Sequence, residues 1–136
     1  MAEILTERLG AIGILTLSQA DKLNAMTLAM WDELPHAVTA LSDDPGVRAI
    51  VVRGDGAEAF SAGADISEFP EKRSTAELAD RYSKSVGAGL TALAETRKPT
   101  IAMLHGVCVG GQDTLIVSDT INHRVRLLVP TPGKAP

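Results

Sequence analysis

Aromatic residues are the scarcest feature of this sequence: one Trp, one Tyr and two Phe among 136 residues. A core without them has to be filled mainly by Ala, Val, Ile and Leu, which suits close-packed layers of sheet and helix. The single cysteine, Cys108, excludes an internal disulfide framework and fits a reducing compartment. Positive charge is also short, with 13 Lys and Arg against 17 Asp and Glu and a net charge of −4. Without a basic footprint, nucleic acid is not an expected partner, and a phosphate-bearing ligand would have to be held by local donors. No apolar run is long enough to span a bilayer, so no membrane contact is expected. The first residues, MAEILTERLG, lack the charged-then-apolar layout of a secretory signal, and the expectation is a cytoplasmic protein. What remains is 45% hydrophobic and 22% charged, ordinary for a folded chain long enough to bury one core.

Apolar and β-branched residues over 3–9 and 11–17, divided by Gly10, predict a strand pair. Residues 18–25 (SQADKLNA) read as a polar loop. Thr27 is a plausible N-cap for a helix to about Leu41, with an apolar stripe of Leu28, Trp31, Leu34, Val38 and Leu41. Pro35 lies in that stripe, removes one N–H and is expected to kink or shorten the helix. The run VRAIVV, residues 47–52, has the pattern of a buried parallel strand. A second helix is signalled by Ser74 and Glu77 at capping-box spacing, with Leu78, Tyr82, Val86, Leu90 and Leu93 as its stripe. Gly87 and Gly89 weaken this helix without abolishing it. Arg97 and Lys98 supply positive charge at its end, and Pro99 stops it before a strand at 100–104. The order strand, strand, helix, strand, helix, strand argues for a layered α/β fold.

Two glycine turns follow strands: Ala62-Gly63-Ala64-Asp65 and Val109-Gly110-Gly111. Small residues there let the backbone approach another molecule, and successive N–H groups can converge on one spot. Two amides meeting at one oxygen would stabilise an enolate or tetrahedral oxyanion. Tight turns made only for packing are the alternative, since glycine turns after strands are common. His105 reads as a hydrogen-bonded structural histidine, and Cys108 as a small buried apolar residue.

The segments AFSAGADISEF (59–69) and KPTIAMLHGVCVGG (98–111) resemble the two signature stretches of the enoyl-CoA hydratase/isomerase (crotonase) family. DKLNAMTLAMWDEL (21–34) is similar to that family's first CoA loop and helix, and the likeness covers roughly residues 1–111. It implies an α/β crotonase-like (ClpP/crotonase) spiral of ββα units, here truncated, that binds acyl-CoA thioesters. No cofactor is implied, coenzyme A being part of the substrate. By position in the motifs, the backbone N–H groups of Ala64 and Gly111 would hold the thioester oxygen. Lys22, Leu23, Ala25, Ala62, Asp65, Ile66 and Gly110 would lie against the substrate. Lys22 could otherwise be a solvated charge, and Asp65 a cap of the next turn. The family associates into trimer-based homo-oligomers through later helices that have no counterpart here.

The resemblance breaks after Gly111. Gln112, Asp113 and Thr114 follow, and Thr114 stands where hydratases of the family carry a catalytic glutamate. A hydroxyl cannot replace a carboxylate that activates water at neutral pH. Residues 112–136 therefore form an atypical tail after the crotonase-like part at 1–111, and the run 113–128 resembles one NHL-type propeller repeat. Chance, a shifted reading frame and a gene fusion are all compatible with it. Three functions are open: an acyl-CoA hydratase or isomerase, a non-catalytic acyl-CoA binding or scaffold module, and a propeller fragment making protein contacts. Half a domain should also leave apolar faces bare and favour association.

Overall fold

A hairpin opens the chain, β1 (Glu3–Leu9) and β2 (Ile12–Ser18), turned by Gly10 at φ 60°. The computed structural model describes residues 1–107 in full and the backbone of 108, 115–119 and 124–128. A 3₁₀ turn at Ala20–Lys22 leads to helix α1 (Leu28–Asp43), then β3 (Ala49–Gly54) and the short β4 (Ala59–Ser61). A second 3₁₀ turn (Ile66–Glu68) runs into α2 (Phe69–Lys72) and α3 (Ala76–Glu95). Strands β5 (Thr100–Met103), β6 (Val107–Cys108), β7 (Leu115–Asp119) and β8 (Arg124–Leu128) follow. The larger sheet has the order β1-β2-β3-β5-β7-β8, and β4 pairs with β6 in a second sheet. Strands β2, β3 and β5 run parallel, while β1, β7 and β8 are antiparallel to their neighbours. The chain thus winds through β1-β2-α1 and β3-β4-α3 and begins a third turn at β5-β6, the expected ββα spiral. The tail run from 113 supplies the antiparallel hairpin β7-β8.

Alternation decides which face is buried. Leu15, Leu17, Ile50 and Val52 point from β2 and β3 onto Met26, Met30, Leu34, Val38 and Leu41, all buried. Each such side chain contributes on the order of 1.5–3 kcal/mol by leaving water. On the opposite face, Leu5, Thr16, Arg53 and Met103 share one row by register. There Leu5 and Met103 are exposed, and Arg53 donates to Thr16 Oγ1 and pairs with Glu7.

Several expectations are corrected. Helix α1 runs 16 residues with Pro35 inside it, so proline does not shorten it. The carbonyl that a residue with an N–H at 35 would have bonded is that of Trp31. Gly89 of α3 packs beside it: a Cβ there would lie 3.5 Å from the Trp31 oxygen. In the stripe of α1, Met30 is buried and Trp31 only half so. The cap of α3 is Thr75, whose hydroxyl accepts from Leu78 N, and not Ser74. Leu90 is exposed, and only Tyr82 and Gly89 of α3 are buried. Lys98 donates to the carbonyls of Leu41 and Asp44, so its charge serves the end of α1 and not that of α3. The predicted strand at 47–52 begins two residues later, at Ala49. Among the described residues, no helix is long and apolar enough to cross a membrane.

Candidate functional site

The loop at 18–25 is polar and only partly solvated, with Ala20, Asp21 and Lys22 exposed. Gln19, Asn24 and Ala25 are buried, Asn24 completely. Leu23 and Asn24 are successive left-handed residues, at φ 53° and 55°. Leucine there is unfavourable, whereas asparagine tolerates the conformation. The Asn24 amide donates to the carbonyls of Asp55 and Ala59, both at 2.8 Å, and its oxygen accepts from Gln19 N at 3.0 Å. Both polar atoms of the side chain are satisfied, through three hydrogen bonds and without water.

This loop is zipped onto the glycine turn at 62–65. Ala62 N donates to Leu23 O, Met26 N to Gly63 O and Asp65 N to Met26 O, at 2.9, 2.6 and 2.9 Å. Gly63 has φ 90°, a value that disfavours any side chain. Its peptide unit carries Ala64 N–H on the opposite side from Gly63 C=O, because the bond is trans. With that carbonyl bound to Met26, the N–H of half-buried Ala64 is turned away from the loop. Among the described residues it has no hydrogen-bond partner. A free, rigidly aimed amide beside a glycine can bind a ligand oxygen.

Asp65 closes the turn. The residue is 4% exposed, and its carboxylate caps the 3₁₀ turn by accepting from Ser67 N and also accepts from Ser67 Oγ, Lys22 Nζ and Gln19 Nε2. The Ser67 hydroxyl and then the Lys22 ammonium outweigh burial and hold its pKa at about 2. Lys22 is raised correspondingly, first by its bond to Asp65. Its ammonium is therefore engaged within the loop, although the side chain is 46% exposed.

A depressed carboxyl stabilises the fold above its unfolded pKa, and the contribution is lost as pH falls through the folded value. The window here runs from about pH 4 down to about pH 2. Asp65→Asn should cost roughly 1–2 kcal/mol at neutral pH, with half-exposed Lys22 screening the pair. The variant should also flatten the fall in urea midpoint across that window. An unchanged profile would show that the carboxylate carries no such load.

Of the expected substrate-side residues, Lys22, Leu23, Ala62, Ala64, Asp65 and Ile66 come together on these two loops. Ile66 is 73% exposed, as a residue meeting a ligand needs to be. Ala25 is buried and its carbonyl accepts from Gln19 Nε2, so it faces inward. Gly110 and Gly111, with Asp113 and Thr114, lie outside the described residues. His105 Nε2 is buried and has no partner among the described residues. Sequence reasoning missed Gln19, Asn24, Ser61 and Ser67. The available signal was an asparagine beside a loop that must turn sharply.

A family model described as enoyl-CoA hydratase/isomerase matches residues 12–125. A Mycobacterium bovis protein named "Probable enoyl-CoA hydratase" is 39% identical over 124 residues, covering 86% of this chain and 46% of its own length. A mitochondrial 3-hydroxyisobutyryl-CoA hydrolase of Bos taurus is 35% identical over 112 residues, covering 81% of this chain and 29% of its own. A solved enoyl-CoA hydratase/carnithine racemase from Magnetospirillum magneticum superposes with a TM-score of 0.73 at 37% identity, covering 78% of this chain and 40% of that one. The chain thus spans less than half the length of the relatives it matches.

Proposed function

The chain belongs to the enoyl-CoA hydratase/isomerase family, and from this we propose that it binds acyl-CoA thioesters and polarises their carbonyl without hydrating them. The observation that carries this reading is the N–H of Ala64, which has no partner among the described residues and is held outward by the anchored Gly63 carbonyl. Relatives named for a hydratase and for a hydrolase share the CoA thioester and not the reaction. A carbonyl-binding turn is the part such chemistries have in common. Gly111 N–H is the second donor in this proposal, giving two hydrogen bonds that strengthen as the oxygen gains charge. Leu23, Ala62 and Ile66 border the thioester arm, with Gly110 beside the second donor. Bound in this way, the substrate still needs a carboxylate to activate water, and in the sequence Thr114 stands where the resemblance would put that carboxylate.

Calorimetry with crotonyl-CoA, run beside a hydration assay that follows loss of the enone absorbance, tests the proposal. Binding without turnover is the expected result. Turnover at an ordinary rate of about 1–10³ s⁻¹ would refute the loss of hydration, and absence of binding would refute the whole reading.

A further inference from the structure

Resting on the carbonyl-binding reading above, we propose that Asn24 is a positioning residue for the Ala64 donor, acting through Ser61 and Gly63 without touching substrate. Asn24 joins three segments at one buried point. Its side chain binds the exit of β2 at Gln19 N, the end of β3 at Asp55 O and the start of β4 at Ala59 O. Its backbone carbonyl accepts from Ser61 Oγ at 2.8 Å, where β4 ends. The same Ser61 oxygen accepts from Gly63 N at 3.1 Å. Two residues beyond Asn24, Met26 N takes the Gly63 carbonyl.

Gly63 is consequently held at both ends by one loop: its N–H through Ser61 to Asn24, its C=O by Met26. Those two anchors set the plane of the peptide bearing Ala64 N–H. A hydrogen bond to a developing oxyanion depends strongly on angle, so a tilted plane weakens it while the rest of the ligand remains in contact. The left-handed pair Leu23-Asn24 is what brings the Asn24 carbonyl and Met26 N to the same turn.

Two variants separate this role from loop folding. Asn24→Gly keeps the left-handed conformation and deletes the three side-chain bonds. Ser61→Ala cuts only the relay to Gly63. The probe is crotonyl-CoA labelled with ¹³C at the thioester carbonyl, whose resonance moves downfield as hydrogen bonding strengthens. In both variants affinity should stay within about threefold of the parent, and the downfield displacement on binding should fall by half or more. Amide exchange at Ala62 and Asp65 should accelerate about tenfold or more, with Leu34 and Val38 in α1 unchanged. If Asn24→Gly fails to fold, Ser61→Ala decides alone. Full displacement with unaltered exchange in the folded variants would overturn the proposal. A parent protein that binds without any displacement would overturn the carbonyl-binding reading instead, and amide exchange would then still decide the role of Asn24.

Discussion

Gly54→Ala is expected to remove about 2–4 kcal/mol of stability, a large share of what a chain of this size holds. Gly54 is the buried last residue of β3, and a Cβ there would drive into the carbonyl oxygens of Ala59 and Phe60 and lie 2.7 Å from Asn24 Nδ2. None of these atoms can retreat cheaply. The Ala59 carbonyl is bound by Asn24, Phe60 N donates to His105 O, and β4 pairs with β6. The methyl group must therefore break the asparagine knot or separate the two sheets, and either exposes unsatisfied polar groups. Urea denaturation monitored by circular dichroism measures the loss. Gly87→Ala is the control, because a Cβ at that helical position meets nothing within 4 Å. It should leave stability unchanged or raise it by about 0.5–1 kcal/mol. Equal midpoints for the two variants would show that the approach of β3 to the β4 loop is looser than described.

Periodicity found what periodicity can encode. Leu28, Leu34, Val38 and Leu41 recur on one face of α1, and the apolar run near 47–52 lies in a parallel strand between β2 and β5. The turn at 62–65 was visible as small residues after a strand, a common pattern that became specific only through its likeness to a signature stretch of the family. The rest was hidden for tertiary reasons. Strand β4 has three residues, too few for an alternating pattern, and exists because β6 lies beside it. The stretch SQADKLNA looks solvated by composition, yet Asn24 is buried because backbone carbonyls from β3 and β4 converge on its amide. Ser74 and Thr75 are equally competent caps, and only the path into α3 chose the second. Pro35 sits inside α1, and the buried residues Ala37, Val38 and Leu41 continue the helix past it.

Gly63→Val should separate the aim of the Ala64 amide from the stability of the turn that carries it. At φ 90° a β-branched residue is strained by on the order of 1–3 kcal/mol. The strain is relieved by rotating the peptide, which breaks the 2.6 Å bond from Met26 N and swings Ala64 N–H off its line. Affinity for crotonyl-CoA should fall at least tenfold, about 1.4 kcal/mol or more, and the urea midpoint should fall with it. Gly10→Val supplies the counterweight: φ is 60° and a Cβ there meets nothing within 4 Å, in a hairpin turn outside the site. It should lower stability by a comparable amount and leave affinity unchanged. If both variants lose stability and only the one at 63 loses ligand, the defect lies in the direction of a single amide. If Gly63→Val still binds crotonyl-CoA like the parent, the Ala64 N–H cannot be the group that holds the thioester oxygen.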